Sequence, residues 1–224
     1  MKPIIRWTIG NVKPNGFKCL SYSINKLQGL YGDRFDYCLF YNNANPTINA
    51  KINMIKQESK TAKNTAWKLY PPRLNMDVPE IFIDNDLVLF NRLKQFDDLI
   101  EYGTPFMTAG LNRNFGKYNS LVGRQYILNS GLFGLPAGFD FRSKINATKN
   151  DWHNYYDEQG LVAFIMTSFN NLSIIPRSTI GICRPKDGLP YSSSGFHFCG
   201  LNHADKHYGW DKFIRSRKGA IKID

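Results

Sequence analysis

A short β-branched run, an amphipathic stretch of helix length and a second apolar run follow one another within the first 41 residues, and that succession restricts the fold more than any other feature of the chain. Residues 3–9, Pro-Ile-Ile-Arg-Trp-Thr-Ile, predict a strand ended by Gly10. Leu20, Ile24, Leu27 and Leu30 recur at three- and four-residue spacing. That spacing predicts a helix from about Phe17 to Tyr31, ended by Gly32. Asp36–Tyr41 predicts a second, buried strand, stopped by the polar run Asn42–Pro46. Strand, helix, strand in so short a space is a βαβ unit, which argues for an α/β fold with a parallel sheet.

The remaining chain continues the alternation. Residues 50–68 are Lys-rich and polar and predict a helix plus a loop, broken by Pro71-Pro72. Glu80–Asp84 reads as a short apolar strand, Leu93–Tyr102 as a helix and Thr104–Leu111 as a further strand. Asn112–Leu121 reads as an exposed loop, and Tyr126–Leu135 as strand, turn and strand. Residues 157–168 predict a helix and Leu172–Ile175 a strand, while the basic tail Arg215–Lys222 reads as loosely ordered. No internal repeat or interdomain linker interrupts the 224 residues, a length sufficient for one sizeable core.

In open α/β sheets, ligands bind beyond the carboxyl ends of the strands. The sequence Ile81-Phe-Ile-Asp84-Asn85-Asp86 sets two carboxylates at such an end, two positions apart. There they can converge on one site, and oxygen ligands of this kind suit Mg²⁺ or Mn²⁺. A cation so held can bridge two phosphates and offset the charge of a departing nucleoside diphosphate. The same Asp-Asn-Asp also makes a plain turn that caps the next element. The apolar runs on either side, ending in Leu87–Phe90, pin the acids between buried segments, where unpaired carboxylates are costly.

Arg73-Leu, followed by Val78-Pro-Glu-Ile-Phe-Ile-Asp84-Asn85-Asp86-Leu-Val-Leu, resembles the sugar-nucleotide core of the GT-A fold glycosyltransferases. It is most similar to the retaining enzymes around glycosyltransferase family 8. Leu128-Asn129-Ser-Gly131-Leu-Phe resembles the Asn-x-Gly strand of that family, which contacts the sugar. Asp157-Glu158-Gln159 and its apolar helix resemble the acidic segment beside the donor sugar, where the family often reads Asp-Gln-Asp. Phe196-His197-Phe198-Cys-Gly200 resembles a late His-Phe-x-Gly segment whose histidine completes the metal site. The four segments keep the family's order across residues 68–210.

The resemblance implies an α/β, Rossmann-like GT-A nucleotide-diphospho-sugar transferase fold with a mixed, mainly parallel central sheet. It implies one such domain over residues 1–224, with a basic tail from about 215 to 224. The implied activity is metal-dependent transfer of a sugar from a nucleotide-diphosphate sugar, by resemblance a UDP-sugar, to an acceptor hydroxyl with retention. In that reading Asp86 coordinates Mn²⁺ or Mg²⁺, Asp84 contacts the metal or the ribose, and His197 is the third ligand. Asn85, Lys68, Arg73 and Lys206 stand on the donor-binding side, the basic groups toward the diphosphate. Asn129, Asp157 and Glu158 are the catalytic candidates beside the sugar.

Each of these residues also has a plainer reading. Asn129 fits a turn in an Asn-Ser-Gly hairpin, and Asp157 with Glu158 fits an acidic pair complementing a helix dipole. Lys68 and Arg73 fit a solvated basic loop, and His197 a core histidine. His197, Cys199, His203 and His207, with Cys183 upstream, form a set that could hold structural Zn²⁺. Trp67 and Tyr70 either frame the pocket or pack the core. Asn112–Tyr118 mixes basic, aromatic and amide groups able to grip a glycan or stack on a base, which makes it the acceptor-side candidate.

The formal net charge of +11 favours phosphate-bearing partners. A glycan acceptor, whether at the cell surface, lipid-linked or protein-bound, is preferred to a modified nucleic acid, and peripheral contact with an anionic surface is a further expectation. The rivals in other classes are a metal-dependent nucleotidyltransferase or phosphoesterase, and a non-catalytic sugar-nucleotide-binding module. Four scattered cysteines without a CxxC pair point to buried free thiols and a reducing compartment. With no apolar signal region and no run near the ~18 residues that span a bilayer, the expected location is the cytoplasm.

Overall fold

The computed structural model describes residues 1–10, 12–42, 48, 50–57, 68–69, 72–147 and 156–218. The expected βαβ unit opens the fold as β1 (Ile4–Ile9), α1 (Pro14–Tyr31) and β2 (Asp36–Tyr41). Pro14 starts the helix where its missing N–H is no loss, and Gly32, at φ 58°, ends it. β1 is buried along its whole length, as a central parallel strand must be. Beyond β2 come β3 (Asn53–Lys56), β4 (Glu80–Asp84), β5 (Leu87–Leu89), α2 (Lys94–Tyr102) and β6 (Phe106–Ala109). Then follow β7 (Leu128–Leu135), α3 (Phe141–Ala147), α4 (Asp157–Met166), β8 (Ser173–Ile175), β9 (Ile180–Cys183), β10 (Gly195–Phe198) and α5 (Tyr208–Lys218).

Among the described residues the main sheet runs β3-β2-β1-β4-β7-β6-β8, parallel except for β7. The period of two along its strands feeds two cores. Ile5, Trp7, Ile9, Ile81 and Ile83 pack with α1 and α2 on one face, and Phe82, Met107 and Phe133 with α3 and α4 on the other. A small sheet, β5-β10-β9, sits beyond the carboxyl end of β4 and packs with α5 through Val88, Phe196, Phe198, Trp210 and Phe213. The helix expected within residues 50–68 is instead strand β3 over Asn53–Lys56; the rest of that prediction, 58–67, lies outside the described residues. The open edge of β2 supplies the parallel ladder that captures this polar segment, overriding its weak helical tendency.

The hairpin expected over Tyr126–Leu135 is one continuous strand, β7. It is flanked by β4 and β6, and it absorbs the Asn-Ser-Gly irregularity as a register shift against β6 rather than as a turn. The tail expected to be loose from Arg215 belongs to α5 as far as Lys218, anchored by buried Phe213. The short elements α3, β9, β10 and the start of α5 have no counterpart in the sequence reading.

A charged cluster is buried at the other end of β4 from Asp84. The Arg6 guanidinium lies between the rings of Phe40 and Phe82 and donates to Glu80 Oε1 at 3.0 Å. Glu80 Oε2 accepts from Arg73 Nε, also at 3.0 Å. Arg6 further donates to the Lys68 carbonyl at 2.6 Å, so the triad holds the segment that leads Lys68 to the carboxyl end of the sheet.

Candidate functional site

A cleft of about 650 Å³ opens where β1 and β4 end. Asp84 is the last residue of β4, and Asn85-Asp86 turn the chain into β5. β10 pairs antiparallel with β5, setting His197 opposite Leu87, and the Phe198 N–H donates to the Asp86 carbonyl at 2.9 Å. This register carries the imidazole more than a hundred residues along the chain to the acids. His197 Nε2 stands 3.2 Å from Asp86 Oδ1 and 3.7 Å from Asp84 Oδ2. The ring lies against Gly131, where a Cβ would come within 2.3 Å of His197 Cε1.

Asp84, Asp86 and His197 each offer one ligand atom, and these atoms all lie within 4.8 Å of one another. Two hard carboxylate oxygens and one borderline nitrogen fit Mn²⁺ or Mg²⁺. Burial alone would lower the His197 pKa, but the adjoining Cys199 and Asp86 outweigh it and hold the ring protonated well above its ordinary range. The acidic turn is braced from outside. Asn85 Nδ2 donates to Asn202 Oδ1 at 2.6 Å, Asn202 Nδ2 returns a bond to Asn85 Oδ1 at 3.1 Å, and it also reaches Asp86 Oδ2 at 3.4 Å.

Lys68 enters from the opposite wall. Its ammonium lies 3.0 Å from Asp84 Oδ1 and 3.1 Å from Glu158 Oε1, and donates to Ser130 Oγ at 3.3 Å. Burial opposes its charge, yet the two carboxylates prevail and raise its pKa, so it stays a cation. Burial likewise pushes the Glu158 carboxyl above the usual range, and the neighbouring ammonium only partly restrains it. Asn129 sits at the β7 irregularity. Its Oδ1 accepts from the Gly131 N–H at 2.9 Å, and its Nδ2 donates to Gln159 Oε1 at 3.0 Å. The amide is thereby fixed in the cleft wall.

The structure therefore gathers Lys68, Asp84, Asn85, Asp86, Asn129, Glu158 and His197 around one cleft. Three other candidates stand elsewhere. Arg73 is buried against Glu80 and also donates to the carbonyls of Pro136, Phe139, Asn75 and Val78, so it is committed to the fold and faces no phosphate. Asp157 turns away from the cleft, and its Oδ1 accepts from the Lys117 N–H at 2.9 Å. Lys206 is exposed and outside the cleft lining. Trp67 and Tyr70 lie outside the described residues.

The acceptor-side reading of Asn112–Tyr118 changes as well. Its aromatics Phe115 and Tyr118 are buried and serve as anchors, leaving no exposed ring to stack on a ligand. Among the described residues the only convergent group of three metal-capable side chains is Asp84, Asp86 and His197, so the zinc set around Cys183, Cys199, His203 and His207 does not assemble. Sequence reasoning did not single out Ser130, Gln159, Arg184 or Asn202, all of which line the cleft. Gln159 was within reach, since it adjoins Glu158 on the first turn of α4. Asn202 and Arg184 follow strands too short to be recognised.

No protein-family model matches this sequence, and no curated protein matches it. Solved structures do. A crystal structure of galactosyltransferase LgtC with donor and acceptor sugar analogs aligns over 99% of this chain and 97% of that one, with a TM-score of 0.61 at 11% identity. An active-site mutant of LgtC aligns over the same shares with a TM-score of 0.58 at 10% identity. A glycosyltransferase involved in glycosylation of the major capsid of PBCV-1 aligns over 96% of this chain and all of that one, with a TM-score of 0.50 at 11% identity. At such identities the likeness is one of fold, and the chain has the mixed, mainly parallel GT-A architecture expected for it.

Proposed function

We propose that this chain is a metal-dependent glycosyltransferase that moves a sugar from a nucleotide-diphosphate sugar to an acceptor hydroxyl. The observation that carries this reading is the convergence of Asp84, Asp86 and His197 at the carboxyl end of β4, with Lys68 and Glu158 paired beside them. The GT-A architecture supports it. Asp84, Asp86 and His197 would hold Mn²⁺ or Mg²⁺, which when bound would supply charge stabilisation for the departing diphosphate.

The chain's own groups do the rest. Lys68 keeps a fixed positive charge between Asp84 and Glu158, within reach of a phosphate or sugar oxygen lying over the metal site. Glu158, the acid of the predicted segment that does face the cleft, is the carboxylate placed to stabilise positive charge at the anomeric carbon or to take the acceptor's proton. Asn129 and Gln159, locked to each other, present amides to the sugar hydroxyls. Retention and a uridine base follow from the sequence resemblance and are the first alternatives to test; a glycan is the preferred acceptor.

The test is a thermal-shift panel of nucleoside diphosphates and nucleotide sugars, with and without Mn²⁺, followed by product analysis. A donor at a hundred times its dissociation constant adds about 2.7 kcal/mol of stability. The expected result is a shift that requires Mn²⁺, and release of nucleoside diphosphate on turnover. Release of monophosphate or pyrophosphate, or no Mn²⁺-dependent response to any nucleotide, contradicts the proposal.

A further inference from the structure

The segment between β6 and β7 forms a lip beside the cleft, and its apolar residues divide in an unusual way. Phe115, Tyr118 and Val122 point inward and are buried. Leu111, Leu121 and Ile127 are 37%, 55% and 44% exposed. The lip is an ordered structure closed at its base, where the Gly110 N–H donates to the Ile127 carbonyl at 2.8 Å. Inside it Arg113 Nη2 donates to the Val122 carbonyl at 2.6 Å. Its floor is tied to α4 through the Lys117 N–H and Asp157. Packing thus holds the three aliphatic side chains outward on a rigid frame.

The charge of the same stretch is one-sided. From Tyr102 to Phe139 there is no Asp or Glu, whereas Arg113, Lys117 and Arg124 are all cationic. Lys117 and Arg124 are exposed. Exposed aliphatics among cations, in a segment that itself carries no acid and has the Asp157 carboxylate buried beneath it, match the chemistry of an anionic lipid surface: the chains of a bilayer accept the aliphatics and the headgroups accept the cations. A nucleic-acid surface would instead place aromatic rings outward for stacking, and here the rings of Phe115 and Tyr118 are buried.

We infer that the lip of residues 110–127 is a docking surface for an anionic bilayer. Leu111 belongs both to the lip and to the lining of the cleft, so docking sets the cleft mouth beside the headgroups. This holds whether or not the chain transfers sugars, and its test needs no catalytic readout.

The experiment is flotation of the full chain with vesicles of phosphatidylcholine alone and of phosphatidylcholine with phosphatidylglycerol, at low and high salt. Binding is expected only to the anionic vesicles and is expected to weaken with salt. Arg124→Gln should weaken it about fivefold, the value of one cation near such a surface. Leu121→Asn with Ile127→Asn should weaken it on the order of tenfold or more, without changing thermal stability or Mn²⁺ response, because both side chains are exposed and outside the cleft. Lys2→Gln, at the opposite end of β1, should change it less than twofold, since one distant cation contributes little beyond a Debye length. Equal binding to both vesicles, equal loss in the Lys2 variant, or full retention in the double variant overturns the inference. So does retention on duplex DNA that depends on Arg124 when anionic vesicles are not bound.

Discussion

In the proposed function Asp86 is the residue on which the chemistry turns. It is 5% exposed and faces His197 on one side and Asn202 on the other, so its carboxylate has one orientation open to it. Asp86→Ala is expected to remove the Mn²⁺-dependent part of nucleotide stabilisation while the protein still unfolds cooperatively, and to slow transfer by about a thousandfold, equivalent to ~4 kcal/mol. Thermal shift and product release check the two parts separately. His197 adds a pH dependence. Its raised pKa means that a metal must displace a proton, so apparent Mn²⁺ affinity is expected to rise with pH, by up to about tenfold per unit while the ring is protonated. Titrations between about pH 6 and 8.5 check this, and a flat profile contradicts it. The convergence of Asp84, Asp86 and His197 was legible only through the sequence resemblance, because Asp-Asn-Asp alone is equally a plain turn and nothing local ties it to a histidine so far along the chain. Arg73 was misread because nothing local distinguishes an arginine that meets a phosphate from one that meets Glu80 across a buried strand. Asp157 and Glu158 are neighbours on one helix, and only the packing of α4 decides which of them faces the cleft.

At the scale of elements, the site depends on β10 lying close over β7. Gly131 makes that approach feasible, since a Cβ there would meet His197 Cε1 at 2.3 Å and Nδ1 at 2.6 Å. Gly131→Ala is therefore expected to displace the imidazole and weaken Mn²⁺ binding at least tenfold, with a smaller loss of stability, about 1–3 kcal/mol for an overpacked position. Metal titration alongside urea unfolding separates the two effects; unchanged metal affinity would contradict the role assigned to this contact. Strands buried on both faces, β1, β2 and β4, were plain in the sequence because a continuous apolar run has one use in a parallel sheet. β3 was not, because an edge strand with exposed Asn53 and Met54 carries no such run. β7 was split in two because Asn-Ser-Gly is also hairpin chemistry, and only two flanking partners make it continuous.

At the scale of the molecule, the cleft stands on a sheet braced by the Arg6–Glu80–Arg73 triad. Glu80 is fully buried, and its removal would strand two guanidinium groups in the core. Glu80→Ala is expected to cost about 3–5 kcal/mol, read from urea denaturation; a loss below about 1 kcal/mol would mean that the triad is solvated in solution. The overall architecture was legible from the alternation of strand and helix, whereas the small sheet that delivers His197 was not, since its strands are only three or four residues long. That sheet and the β4 terminus make a single site, and this convergence is what everything functional rests on. It is tested most directly by anomalous scattering from a crystal grown with Mn²⁺ and a nucleoside diphosphate. The expected result is one strong manganese peak bounded by Asp84, Asp86 and His197, with the diphosphate on its open side. A manganese peak and nucleotide bound together away from those three side chains would contradict it.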